Sequence, residues 1–224
     1  MEPNFWLEKW QTNNIAFHKS EANPLLVEYF KELSLIKDSR IFLPLCGKTL
    51  DIAWLLAQGY RVAGVELSKI AIKQLFQELG IEPKIEKVGE LIHYSGKNID
   101  IFVGNIFNLD SNILGLVDGI YDRAALVALP KETRDRYTTH LMKITNKAPQ
   151  LLMSYEYEQN LMEGPPFSVN NEEIHQHYQD SYDLTLLLSK DLPNGFKGKY
   201  PAKENIWLLQ NKTLLNLTMI SGKS

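Results

Sequence analysis

Residues 40–80 read RIFLPLCGKTLDIAWLLAQGYRVAGVELSKIAIKQLFQELG, and their pattern decides the fold class. Ile41-Phe42-Leu43-Pro44-Leu45 is a short apolar run of strand type. Leu50, Ala53, Trp54 and Ala57 follow at helical spacing, and Gly59 is placed to end that helix. Val62-Ala63-Gly64-Val65-Glu66-Leu67 is a second strand. Ser68 then caps a helix with Ile70, Ala71, Leu75 and Leu79 turned inward and Gly80 as its stop. A strand–helix–strand–helix series of this length is the beginning of a mostly parallel sheet.

The same alternation continues along the chain. Residues 99–104 and 118–121 read as strands, 132–144 as a helix and 150–155 as a strand. Residues 171–179 read as a short helix. Residues 182–189 and 205–210 are two more strands, compatible with a terminal antiparallel pair. Upstream, residues 6–33 are helical and separate from this core, with Asn23-Pro24 as a capped start and Leu25, Leu26, Tyr29, Phe30 and Leu33 on one face. The expectation is one α/β domain over residues 1–224, Rossmann-like, with a mostly parallel seven-stranded sheet and helices on both faces. Residues 1–36 form an N-terminal helical cap, and the tail 213–224 has no assigned role.

Composition agrees with a soluble globular domain. The chain has 224 residues, 44% hydrophobic and 23% charged, enough apolar material for a sizeable core. Net charge is −3, with no basic surplus to neutralise phosphates, so nucleic acid is not an expected partner. Cys46 is the single cysteine, so no internal disulfide forms and a reducing, cytoplasmic compartment fits. The start, MEPNFWLEKW, has no apolar core of a signal peptide, and no run reaches the length of a membrane span. Two sequons, at Asn211 and Asn216, are read as chance. With a low net charge and no obvious apolar helix stripe, the default is a monomer.

In a doubly wound sheet, ligands bind beyond the carboxyl ends of the strands at the topological switch point. Cys46-Gly47-Lys48-Thr49 lies at such a place. Gly47 allows close backbone approach, and the following helix offers free N–H groups. The Gly-Lys-Thr triplet is not a P-loop, because that motif needs glycine five residues before Gly47 and Phe42 stands there. The dinucleotide fingerprint G-x-G-x-x-G is absent as well. Glu66 ends the second strand nineteen residues after Gly47, where an acid can accept hydrogen bonds from both ribose hydroxyls of a nucleoside. A glycine loop without a pyrophosphate fingerprint, joined to a ribose acid, suits S-adenosylmethionine better than a dinucleotide.

Seven blocks in order carry a family resemblance: Trp6-Leu7-Glu8-Lys9-Trp10, Ala16-Phe17-His18, Leu43-Pro44-Leu45-Cys46-Gly47-Lys48, Gly64-Val65-Glu66-Leu67-Ser68, Gly104-Asn105-Ile106-Phe107, Tyr121-Asp122-Arg123-Ala124-Ala125-Leu126 and Gly164-Pro165-Pro166-Phe167. Together they cover roughly residues 6–210. The chain resembles the thiopurine S-methyltransferases, a branch of the class I S-adenosylmethionine-dependent methyltransferases. The resemblance implies cofactor contacts from Trp6, Trp10, Phe17, Leu45, Gly47, Glu66, Asn105, Ile106 and Arg123. Trp6 and Phe17 would close over the cofactor, and tryptophan faces attract the sulfonium. The Leu45 carbonyl would meet the ammonium group of its methionine part. Ile106 would lie against adenine, with Asn105 beside it where many relatives of the wider class carry an acid.

On the acceptor side the resemblance implies Phe17, Arg123, Pro166, Phe167 and a late-loop cation, for which Lys197 and Lys199 are the local candidates. An arginine suits an anionic thiolate acceptor, and Phe17 with Phe167 could sandwich a flat heterocycle. The implied reaction is one in-line displacement by an acceptor sulfur, releasing S-adenosylhomocysteine. No catalytic base is required; Asp122 and His18 are the candidate proton acceptors. Cys46 is not needed as a nucleophile. His175 and His177 are two apart on a helix and do not form a metal pair, and no metal is expected. His93 and His140 read as surface residues. The rival acceptors are halides, small thiols and selenium or tellurium oxyanions. A nicotinamide-dependent oxidoreductase and a non-catalytic cofactor-binding module are the rivals from other classes.

Overall fold

The computed structural model describes residues 3–15, 19–196 and 198–212. Phe17, His18, Lys197 and the tail 213–224 lie outside the described residues. The chain divides into two compact units, Met1–Tyr121 and Asp122–Ser224.

The first unit opens with helices α1 (Pro3–Gln11) and α2 (Pro24–Tyr29), the latter running into a 3-10 turn at Phe30–Leu33. Asn23 caps α2 as its sequence predicts, its side chain accepting the Leu25 N–H at 2.8 Å. Leu25, Leu26, Phe30 and Leu33 are buried. Strands β1 (Arg40–Pro44) and β2 (Arg61–Glu66) pair in parallel around α3 (Leu50–Ala57). Both strands are nearly continuous apolar runs because each is covered on both faces. Helix α4 (Lys69–Leu79) follows, capped by the Ser68 side chain on the Ala71 N–H at 3.2 Å and stopped by Gly80 in left-handed conformation.

Then come β3 (Lys84–Val88), β4 (Leu91–Gly96), β5 (Ile99–Val103), a short α5 (Ser111–Leu114) and β6 (Gly119–Asp122). In this unit the strand order is β3-β4-β5-β2-β1-β6. β2 and β5 extend the sheet on one side of β1, and β6 returns in parallel on the other. The chain reverses direction at β1, so the loop after Pro44 sits at the switch point.

The second unit holds α6 (Lys131–Ile144), β7 (Gln150–Tyr157), α7 (Asn171–Tyr178), β8 (Tyr182–Asp191) and β9 (Ala202–Asn211). β9 pairs antiparallel with both β7 and β8. Its core includes Tyr137, Tyr178 and Tyr182, each almost fully buried.

The expected seven-stranded, mostly parallel sheet is corrected here. The described residues form nine strands in mixed orientation. The two additions are β3 and β4, which pair antiparallel with each other, β4 then pairing antiparallel with β5. Strand β3 reads KIEKV and is almost wholly exposed, so no apolar alternation betrays it. The inward face of α4 is also corrected to Ala71, Ile72, Leu75 and Phe76, with Ile70 39% exposed. In α3 the buried residues are Asp51, Ile52 and Leu55, and Ala57 is exposed. His93 is not a surface residue: it is half-buried, stacked on Phe102 with ring centroids 4.6 Å apart, and its Nε2 lies 2.9 Å from Asp100. His140 is half-buried too.

Candidate functional site

The first unit builds its site from the loop after β1 and the end of β2. Leu45 and Gly47 both adopt left-handed backbone, with φ of 48° and 53°. Such a turn folds the chain back against β2, where Cys46 N–H donates to Val65 O at 3.0 Å. A side chain at Gly47 is disfavoured twice. Its φ disfavours any L residue, and a Cβ there would stand 3.1 Å from the Trp10 ring. Trp10, 6% exposed, therefore lies directly against this loop from α1. Trp6 is half-buried on the same helix, edge-on to Phe5 at 5.2 Å.

Glu66 is the charged centre of this corner. It is 6% exposed, yet each carboxylate oxygen accepts one backbone N–H. Oε2 takes Gly47 N–H at 2.8 Å, and Oε1 takes Ser68 N–H at 2.8 Å. Burial lifts its pKa above the ordinary carboxylate range, and the N–H groups of Ser68, Gly47 and Leu67 pull it partly back. With about four acceptor positions on its two oxygens, the carboxylate keeps capacity for a further donor. Lys48 does not reach toward a ligand; its Nζ is 2.5 Å from Glu78 Oε1 on α4. That placement gives physical form to the failed P-loop match. Cys46 is buried, and burial followed by the Glu66 charge pushes its thiol well up, so the sulfur stays protonated.

Asn105 is exposed and uses its own Oδ1 to accept the Phe107 N–H at 3.0 Å. Ile106 beside it is buried at 5% exposure. The sequence reading missed Asp51. It is fully buried in the first turn of α3, where Oδ1 accepts Asn23 N–H at 2.7 Å and Oδ2 accepts the Tyr121 hydroxyl at 3.2 Å. This carboxylate ties the start of α2 and the strand β6 to the helix that follows Gly47. The available signal was an acid inside the otherwise apolar run LDIAWLLA.

The second unit carries Asp122, Arg123, Pro166 and Phe167. Asp122 is fully buried: Oδ1 accepts Leu126 N–H at 3.1 Å, and Oδ2 accepts the Tyr137 hydroxyl at 2.6 Å. Burial raises its pKa to about 6, against the pull of Tyr137 and two backbone N–H groups. Arg123 is half-buried, and its charge acts on Tyr155. Burial first, then the Glu204 carboxylate, pushes Tyr155 up to about 12.

Gly164 has a φ of 80°, and a Cβ there would stand 2.7 Å from the Phe167 ring, so that ring lies back over the glycine. The Phe167 N–H is anchored on Val127 O at 2.6 Å. His175 and His177 go to separate partners, His175 to Asn171 O at 2.8 Å and His177 to Glu173 at 3.2 Å. Among the described residues no group of His, Cys, Asp and Glu could hold a metal ion, and no helix is long and apolar enough to cross a membrane.

Comparison with known proteins fits this picture. A family model described as thiopurine S-methyltransferase matches residues 1–212 and runs without a break across both units. A thiopurine S-methyltransferase of Xanthobacter autotrophicus is 49% identical over 211 residues, covering 94% of this chain and 99% of the relative. The thiopurine S-methyltransferase of Acinetobacter baylyi is 48% identical over 217 residues, covering 95% and 100%. A crystal structure of a S-adenosylmethionine-dependent methyltransferase from Anabaena variabilis superposes with a TM-score of 0.63 at 14% identity, covering 94% of this chain and 95% of that one. That likeness bears on the fold, and the full-length identities bear on the family. On those matches, the chain belongs to the thiopurine S-methyltransferase family.

Proposed function

We propose that this protein transfers the methyl group of S-adenosylmethionine to the sulfur of a heterocyclic thiol. The observation that carries the reading is the buried Glu66 carboxylate, held by backbone N–H groups, in a chain that aligns over 94% of its length with a thiopurine S-methyltransferase. When bound, the cofactor supplies a methyl group already activated on a sulfonium.

The residues present fit that group. The Glu66 carboxylate keeps acceptor capacity beyond the backbone N–H groups it holds, which suits a ribose hydroxyl. That hydroxyl would also relieve a carboxylate that burial disfavours. The left-handed turn at Leu45 and Gly47 presents backbone for an ammonium and a carboxylate, under the Trp10 ring. Trp6, Trp10 and Phe17 are assigned to cover the sulfonium, and Ile106 to pack on adenine. The Oδ1 of Asn105 already caps its own turn, so its amide N–H is the group left for a ring nitrogen of adenine.

For the acceptor, Arg123 is assigned to favour the thiolate form, and Pro166 with Phe167 to form a flat apolar wall. Lys197 is the assigned late-loop cation. Aromatic thiols ionise readily, and both oxygens of Asp122 are already engaged with no exposed surface. We therefore assign Asp122 to the fold and place no general base. The work of the protein is alignment of nucleophile and methyl carbon and exclusion of water. The reading includes a monomer acting in a reducing, cytoplasmic compartment, supported by the lone Cys46 and the net charge of −3.

The test is transfer of labelled methyl from S-adenosylmethionine to 6-mercaptopurine, with iodide and selenite in parallel. Label on the purine sulfur is the expected result. Label on the inorganic acceptors alone would move the protein to that rival chemistry, and no transfer to any of the three would overturn the proposal.

A further inference from the structure

The end of β7 carries a bonded network that neither the family motifs nor the resemblance singles out. Tyr157 is the last residue of that strand and is 8% exposed. Its hydroxyl donates to Pro166 O at 2.6 Å and accepts from Gln159 Nε2 at 3.2 Å. Gln159 also donates to Met162 O at 2.7 Å, while its Oε1 accepts the Ser168 N–H at 2.8 Å. Ser168 returns the bond through Oγ, which accepts the Tyr157 N–H at 3.0 Å. Two side chains thus pin both limbs of the loop that presents Pro166 and Phe167.

A second strut meets the same tyrosine. Phe196, in the connection between β8 and β9, stands edge-on to Tyr157 with centroids 5.3 Å apart and edge-on to Tyr155 at 4.8 Å. Met162 and Ala202 are buried beside them, with Leu192 and Tyr200 packed against the cluster. Edge-to-face rings fix orientation as well as distance.

We infer that Tyr157 and Gln159 are positioning residues for the acceptor: they set the Pro166–Phe167 wall, and so the protein's preference for a flat heterocyclic thiol over a small one. The inference rests on the function proposed above. A loop with a loose wall would still admit hydrosulfide, which needs no wall, but would hold a purine thiol poorly. The hydroxyl and the amide therefore act on acceptor binding and not on the cofactor.

The experiment compares the full chain with Tyr157→Phe and Gln159→Leu. Tyr157→Phe keeps the ring against Phe196 and removes only the hydroxyl. KM for 6-mercaptopurine is expected to rise about tenfold, the worth of one or two hydrogen bonds, with kcat little changed. KM for hydrosulfide and the affinity for S-adenosylhomocysteine are expected to hold. In Gln159→Leu, amide exchange at Ser168 is expected to quicken by about tenfold. Unchanged KM for the purine thiol, or an equal rise for hydrosulfide, overturns the inference, as does unchanged exchange at Ser168. A wild-type chain active on hydrosulfide but not on the purine thiol would instead overturn the parent reading, and the Ser168 amide would still report on the loop.

Discussion

Glu66 and Asp122 place the same chemical group in two parts of the molecule. Each is the last residue of a strand that pairs in parallel with β1, β2 in one case and β6 in the other. Each is buried and accepts a backbone N–H from the turn that follows it. They part at the second oxygen. That of Glu66 takes a backbone N–H from the Gly47 loop, whereas that of Asp122 takes the Tyr137 hydroxyl. Glu66 keeps 6% exposure and Asp122 none. A carboxylate held only by main chain beside a left-handed loop is the one we propose for an outside donor. One closed by a tyrosine from α6 is a rivet. Position at a strand's carboxyl end therefore identifies candidates, and the partner of the second oxygen is what distinguishes the two carboxylates.

Breaking the rivet gives the largest expected effect. Asp122→Ala leaves the Tyr137 hydroxyl and the Leu126 N–H buried without their acceptor, at a cost of roughly 3 kcal/mol at pH 5. Denaturant unfolding followed by circular dichroism measures it, and a loss below about 1 kcal/mol would argue against the structural role.

The pH dependence of Asp122 sharpens the contrast. Its pKa rises from 3.8 to about 6 on folding. The folded chain then holds a proton that the unfolded chain has released, so the contribution to stability is full below the unfolded value and is lost as pH rises through about 6. Asp122→Asn removes that titration. Wild-type stability measured against this variant is expected to fall by about 2 kcal/mol between pH 4 and 7 and then level off. Asp100, whose pKa is lowered by its hydrogen bond from His93 and by the Arg40 charge, slopes the other way in both proteins and cancels in the difference. A difference that stays flat across this range would contradict the assignment.

A smaller effect probes the second unit's loop. Gly164→Ala sets a Cβ against the Phe167 ring at a φ of 80°. About 1 kcal/mol of stability is expected to go, with a higher KM for a heterocyclic thiol. Unchanged stability and KM would show that the ring does not need its place over the glycine.

How far these features were legible depends on where their partners lie. Strands β1 and β2, the Ser68 cap and the Gly80 stop are written locally, in apolar runs and residues with one conformational role. The place of Glu66 at the end of β2, beside the Gly47 loop, was legible from the apolar run that it closes. Strand β3 was hidden because its KIEKV sequence is exposed and has no buried face to mark it. The face of α4 shifted because Ile70, though apolar, falls on the flank, and Phe76 fills the core instead. Asp51 was missed because its meaning comes from Asn23 and Tyr121, 28 and 70 positions away. Tyr157 and Gln159 are closer to their partners, yet which backbone atoms they meet depends on the path of a loop, and a residue pattern does not encode that path.

The most direct test of the contrast is a calorimetric titration of S-adenosylhomocysteine into the wild-type chain, Glu66→Ala and Asp122→Asn. Removing Glu66 is predicted to weaken binding by roughly 1–3 kcal/mol, about five- to 150-fold, while Asp122→Asn binds as the wild type does. Wild-type affinity in Glu66→Ala would contradict the claim that this carboxylate holds the cofactor.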